Sequence, residues 1–248
     1  MNPEPHPSDE RMPLAVVTGA GQRLGRAIAL GLAARGYAVG LHYHASAQAA
    51  EEAAAEIRAQ GGQAFLAQAD LRDAEQIARL FALVDGWGHP LHVWVNSAAV
   101  MPAQDADTMA AGEWDSVMDL NLRAPFLCAQ QAAQRMDSGG VIINLSDSGA
   151  VKAWSGFPAY TVSKAGVEAL TRVLARRWGP RVRVNAVAPG LILRGEMTSA
   201  EEWQSLTGRL PMRTGGGPQD VVRAVAFLIE NPYITGETLV VDGGYRLI

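Results

Sequence analysis

Tyr160 and Lys164, four positions apart in Tyr160-Thr161-Val162-Ser163-Lys164, carry the first chemical signal in the chain. On a helix that spacing puts both side chains on one face. A free phenol, with a pKa near ~10, is a poor proton shuttle at neutral pH. An ammonium beside it favours the phenolate and is expected to lower that pKa toward the working range. The pair reads as a proton-transfer device. Asn121, in Asn121-Leu122-Arg123-Ala124-Pro125-Phe126, is a candidate to hold a water that relays protons to the lysine. Taken alone, such a Tyr–Lys pair is usually a surface pair; a second constellation raises its standing.

That constellation is Thr18-Gly19-Ala20-Gly21-Gln22-Arg23-Leu24-Gly25, between an apolar strand at Leu14–Thr18 and a helical pattern at Leu24–Arg35. Glycine lets the backbone turn sharply and approach a pyrophosphate, whose charge is met by amides at the helix N-terminus. A glycine cluster can be an ordinary tight turn, but a strand–turn–helix junction is where a dinucleotide site requires one. Gly19, Arg23 and Leu24 are therefore cofactor-binding candidates. Arg23 stands where many such turns carry another glycine, and its guanidinium suits phosphate oxygens or an anionic edge of a substrate. NAD-preferring sites commonly end the second strand with an acidic residue. Here that strand ends His42-Tyr43-His44-Ala45-Ser46. A 2′-phosphate would meet no like charge there, with His44 and Ser46 as donors, which favours NADP. His42 and His44 share one strand face, as metal ligands can, but no third ligand with sensible spacing follows and no metal is expected.

The elements that must position these residues alternate between short β-rich runs and helical patterns, the signature of βαβ units. Strands are expected at Leu14–Thr18, Tyr37–His44, Gln63–Ala69, Leu91–Asn96, Gly140–Ser146, Val182–Ala188 and Thr238–Val241. Helices are expected at Leu24–Arg35, Ala47–Gln60, Asn121–Met136 and Tyr160–Trp178. The fold class is α/β, a Rossmann-type doubly wound parallel sheet of about seven strands in a single domain, residues 13–248. Residues 1–12, polar and proline-rich, read as a disordered tail rather than a signal peptide. The stretch Arg194–Gly217 reads as a long irregular loop, a lid or substrate wall.

The 248 residues carry a net charge of −4 with both signs interspersed, so no basic stripe argues for nucleic acid or a membrane surface. No apolar run approaches spanning length, and the single cysteine, Cys128, forbids internal disulfides and reads as core. A soluble, cytoplasmic protein is expected.

In order along the chain, the Thr18–Gly25 turn, Asp70-Leu71, Asn96-Ser97-Ala98-Ala99, Asn121, Tyr160-x-x-x-Lys164, Pro189-Gly190 and Val241-Asp242-Gly243-Gly244 form a highly specific set. On these motifs the chain resembles the short-chain dehydrogenase/reductase family over nearly its whole length. That resemblance implies that Asp70 and Leu71 line the adenine pocket and that Asn96 and Ala98 pack along the cofactor. It also implies that Lys164 binds the nicotinamide ribose and that Pro189 and Gly190 contact the carboxamide. A homotetramer is implied too, with the helices around Asn121 and Tyr160 at an interface.

Most members carry a serine thirteen residues before the tyrosine; here Asp147 stands there. That aspartate, Arg23-Leu24-Gly25, the His-Tyr-His-x-Ser strand end and the Asp242-Gly243-Gly244-Tyr245 terminus are similar to the pteridine reductase branch. A carboxyl group can hydrogen-bond an aminopyrimidine edge, or protonate a ring nitrogen if burial raises its pKa. The bland alternative is a loop aspartate capping the next turn while Ser146 or Ser148 acts. Two departures cut against the branch: Met101 stands where a stacking aromatic is usual, and Ala45 where an arginine is. Arg23, Met101, Asp147, Trp154 and Tyr160 are the candidate substrate residues. Phe157, Met197, Trp203 and Met212 could line the same wall or pack against a subunit neighbour. The favoured activity is NADPH-dependent reduction of a pterin-like C=N bond. The alternatives are a carbonyl or 3-oxoacyl reductase and a non-catalytic dinucleotide-binding protein.

Overall fold

Each residue of Leu14–Val17 (β1) is buried, as a strand must be when helices cover both sheet faces. The computed structural model, which describes residues 11–152, 154–195 and 198–248, shows how that is achieved. Ala15 and Val17 point into a core built with α1 (Arg23–Ala33), α2 (Ala47–Ala59) and α8 (Pro218–Glu230). Leu14 and Val16 point into the opposite core, built with α3 (Ala74–Gly86), α5 (Ala124–Arg135) and α6 (Pro158–Trp178). The alternation of successive side chains across a strand thus feeds two helical layers from one apolar run.

The remaining strands are β2 (Ala38–Tyr43), β3 (Ala64–Gln68), β4 (Leu91–Asn96), β5 (Gly140–Leu145), β6 (Val182–Pro189) and β7 (Thr238–Val241). All seven pair in parallel in the order β3-β2-β1-β4-β5-β6-β7. The order reverses at β1, so a crevice opens above the carboxyl ends of β1 and β4, where open α/β sheets bind their ligands. The expected fold class and all seven strands are present.

Several elements went unmarked in the sequence. Helix α3 starts at Asp73, whose carboxylate accepts from the Glu75 and Gln76 amides, and α8 starts behind Pro218. Helix α4 (Ala111–Met118) runs through a π-helical turn at Asp119–Arg123 into α5, so the helix expected from Asn121 begins earlier. The stretch 194–217 is not wholly irregular: it holds α7 (Ala200–Gly208), capped by a reciprocal Ser199–Glu202 pair. At the other end, Arg11 bonds the Gly88 carbonyl at 3.0 Å and Met12 packs on the core, so ordered contacts begin before residue 13. The expected disorder of residues 1–10 concerns positions outside the described residues. No helix among the described residues is long and apolar enough to cross a membrane.

Candidate active site

The glycine-bearing turn sits where β1 ends. Gly19 adopts φ +66°, and a Cβ on Gly25 would lie 2.2 Å from the Gly19 carbonyl oxygen, so the first turn of α1 closes only around glycine. Arg23 also has a positive φ, 52°, the conformation that explains why glycine is usual there; its side chain is exposed. Leu24 packs partly into the core. Thr18 ties the turn to β4, accepting from the Ser97 and Ala98 amides at 2.9 and 3.0 Å. Ala98 in turn lies against Gly19, within 3.0 Å of where a Cβ would stand.

At the end of β2, His44 is exposed and Ser46 borders the turn: its Oγ lies 2.7 Å from where a Gly21 Cβ would stand. The Asp70 carboxylate is 3.8 Å from His44 but is held by Arg72 through a bidentate pair at 2.7 and 2.9 Å. That pairing draws the Asp70 carboxyl down to about 2. Leu71 beside it is buried. The paired histidine idea fails on His42, which is buried with both ring nitrogens already engaged by Gly19 and Ala69.

Tyr160 and Lys164 lie on one face of α6, and both are buried. The Tyr160 hydroxyl donates to Asp147 Oδ2 at 2.7 Å, and Asp147 Oδ1 accepts from the Gly149 amide at 2.6 Å. Asp147 therefore caps the following turn and meets the tyrosine at once. Ser146 donates to Glu168 and to the Lys164 carbonyl, away from Tyr160, and Ser148 is buried. The Lys164 ammonium donates to the Leu145 carbonyl at 2.7 Å and stands 5.7 Å from the centroid of the Tyr160 ring.

This geometry corrects the expectation of a lysine-acidified phenol. Burial first, and then the charge and hydrogen bond of Asp147, push the Tyr160 phenol well above its ordinary range. Burial also raises the Asp147 carboxyl, against the opposing pull of Tyr160, the Gly149 amide and Lys164. Lys164 itself falls to about 8, because burial disfavours its charge more than Asp147 favours it. In this arrangement the tyrosine is a held proton, not a standing phenolate.

Asn121 is almost fully buried, and its side chain accepts from the Val100 amide at 2.9 Å and donates to the Val100 carbonyl at 2.8 Å and to Ser163 Oγ at 3.2 Å. It therefore fixes the segment carrying Met101, which is exposed at the mouth. Asn96 is likewise committed, bonding Trp94, Asn144 and the Pro125 carbonyl, so its side chain braces β4 against β5. Pro189 is buried, and the Gly190 amide bonds Val241. Trp154 stacks on Tyr160 with the planes 8° apart and meets Phe157 edge-on. Trp203 packs toward Gly215, within its own helix–loop unit, and Met212 is exposed; Met197 lies outside the described residues. Cys128 is fully buried core. Tyr245, read in the sequence only as part of a terminal motif with no site role, lies with its ring 6.1 Å from Trp154 and under the Lys152 ammonium. Only a fold that returns β7 beside β6 brings it there.

The comparisons with known proteins agree with this geometry. Residues 19–246 match the family model described as enoyl-(acyl carrier protein) reductase. The chain is 38% identical over 238 residues to a 3-oxoacyl-(acyl-carrier-protein) reductase, FabG, of Staphylococcus aureus, covering 93% of this chain and 96% of that one. It is 37% identical over 243 residues to a 3beta-hydroxysteroid dehydrogenase of Eggerthella lenta, covering 94% and 93%. Among solved structures, FolM alternative dihydrofolate reductase 1 of Brucella canis, complexed with NADP, superposes with a TM-score of 0.91 at 30% identity over 95% and 94% of the two chains. With its parallel sheet and the Tyr160–Lys164 pair at the carboxyl ends of the strands, the chain belongs to the short-chain dehydrogenase/reductase family of oxidoreductases.

Proposed function

We propose that the protein is an NADPH-dependent reductase that adds hydride and a proton across a C=N bond of a pterin-like ring. The observation that carries this reading is the 2.7 Å hydrogen bond between Tyr160 and Asp147, a carboxyl group at the position where a simple ketone reductase needs only a hydroxyl.

The residues present fit the cofactor. The turn closes against Ala98, Ser46 and its own backbone so tightly that Gly19, Gly21 and Gly25 admit no Cβ without a shift, and the start of α1 presents amides that its own turns leave unpaired to an anion. His44 and Ser46 stand at the 2′-phosphate end with Asp70 neutralised by Arg72. Arg23 lies at the phosphate turn, Leu71 on the adenine side, and Ala98, Pro189 and Gly190 along the crevice. When bound, NADPH supplies the hydride. Tyr160, held neutral, supplies the proton. The phenolate left behind is disfavoured by burial and by the neighbouring Asp147 carboxylate, so it takes back a proton that solvent delivers through Asp147, whose own carboxyl burial pushes up, across the same hydrogen bond. Lys164, fixed by the Leu145 carbonyl, keeps a positive charge beside the pair and is the ribose ligand. Asn121 positions the Val100–Met101 segment over the substrate; its side chain has one acceptor lone pair left, so a relayed water would also need the backbone. Trp154 gives the substrate a flat wall.

A second reading, reduction of a 3-oxoacyl or other carbonyl substrate, draws on the 38% identity to the S. aureus enzyme and on Met101 in place of an aromatic. A substrate panel separates the two. NADPH oxidation with dihydropterins well above that with 3-oxoacyl thioesters supports the pterin reading, and activity only with the thioesters ends it. We also propose self-association into a homotetramer through the outward faces of α5 and α6, where Phe126, Val162 and Val173 are exposed. Residence in the reducing cytoplasm, where a lone buried thiol is stable, completes the proposal.

A further inference from the structure

His42 is a polar ring on a strand of otherwise small or apolar inward neighbours, and only 2% of it is exposed. Both of its nitrogens are used. The Gly19 amide donates to Nδ1 at 3.1 Å, and Nε2 lies 3.0 Å from the Ala69 carbonyl oxygen. An amide can donate only to a bare nitrogen, so the ring proton sits on Nε2 and is donated to Ala69. The backbone of the same residue accepts from the Ala20 amide at 2.8 Å. One residue thus fixes two successive amides of the phosphate turn.

The sheet cannot do this by itself. The β1–β2 ladder ends at the pair Val17 and Leu41, and the chain then turns through Gly19 with φ +66°. Beyond that point the turn depends on partners from outside the ladder. On its other side, the ring grips the residue that directly precedes Asp70-Leu71, at the end of β3. It therefore bridges the two loops that flank β2, the pyrophosphate turn and the adenine-side loop, without touching Tyr160, Lys164 or Asp147. With Gly19 and Ala20 committed, the amides left for an anion are those from Gly21 onward, at the start of α1.

We propose that His42 is a positioning residue of the dinucleotide site: its imidazole sets the spacing between the phosphate turn and the Asp70-Leu71 loop, and so governs nucleotide affinity rather than the rate of proton and hydride transfer. This rests on the NADPH reading given above.

The test titrates the wild-type protein, His42→Ala and His42→Gln with NADPH and with 2′,5′-ADP, and measures kcat and KM on the best substrate of the panel. In His42→Ala both nucleotides bind about tenfold more weakly or worse, the KM for NADPH rises in step, and kcat at saturating NADPH stays within about twofold. His42→Gln, which offers one acceptor and one donor, recovers part of the affinity, and it carries the comparison if the alanine variant fails to fold. Faster amide exchange confined to a peptide spanning residues 18–22 marks the loss as local. Folded variants with wild-type nucleotide affinity overturn the proposal, as does a kcat that falls as far as the affinity. A wild-type protein that binds no NADPH defeats the cofactor reading itself, whereas tight wild-type binding unchanged in the variants defeats only the role of His42.

Discussion

Replacing Asp147 by Asn changes one thing at the centre of the site. Asn keeps an oxygen to cap the Gly149 amide and another polar atom toward Tyr160, so the turn after β5 keeps its shape. What disappears is the ionisable proton and the negative charge. A hydrogen bond to a charged group is worth about 1.5–3 kcal/mol, which corresponds to a rate loss of about ten- to a hundredfold if the bond acts in the transition state. A ring nitrogen that depends on Asp147 for its proton supply should feel the whole loss. A ketone served by Tyr160 alone should lose less than about threefold, because the Asp147 charge that pushes the phenol up is gone. The assay follows NADPH absorbance with a dihydropterin and with a ketone, on wild type, Asp147→Asn and Asp147→Ser. Equal losses on both substrates, or undiminished dihydropterin reduction in Asp147→Ser, would refute the assignment of a proton-supplying role to this carboxyl.

Three further outcomes follow from the same geometry. His42 has its pKa lowered to about 4, chiefly by burial and further by His44, against the Ala69 bond and Asp70, which raise it. The unfolded chain, with an ordinary value of 6.5, binds the extra proton first. Stability therefore declines as pH falls from about 6.5 toward 4, by about 3 kcal/mol from this group; denaturant titrations across that range should show the slope, and His42→Gln should flatten it. Lys164 deprotonates near about 8 in the free protein, so kcat/KM for NADPH should fall through that pH, and Asp147→Asn, which removes the charge that raises Lys164, should move the limb lower. A profile flat from pH 7 to 9 contradicts this. Arg23→Gly relieves a left-handed non-glycine residue that costs about 1 kcal/mol, so thermal unfolding should occur at the same or a higher temperature while NADPH binds more weakly.

The strands and the catalytic helix were legible because their signals are local. An apolar run such as Leu14–Val17 followed by a glycine turn, and a Tyr–Lys pair at helical spacing, need no knowledge of the rest of the chain. Helix α7 was missed although Ser199 and Glu202 carry a capping box, because the surrounding glycines and prolines outweighed it. What sequence could not give was the direction of the electrostatics. Four-residue spacing implies that Lys164 acidifies Tyr160, but the actual field depends on which atoms the ammonium and carboxyl face, and that is set by Leu145 at the end of β5 and by Gly149 in the turn after it. Asn121 and Asn96 show the same limit: their side chains, read as site groups, are engaged chiefly with Val100 and Ser163 and with the β4–β5 brace. The clamp made by His42 on β2 joins two loops distant in sequence, so no motif could mark it.

The most direct measurement is Tyr160→Phe, which removes a single hydroxyl from a ring that stays packed under Trp154. If the neutral phenol is the proton donor beside a bound NADPH, turnover should fall by about a thousandfold or more while NADPH affinity, read by titration, stays within about twofold. Substantial turnover in the phenylalanine variant, or nucleotide binding lost together with the hydroxyl, would contradict it.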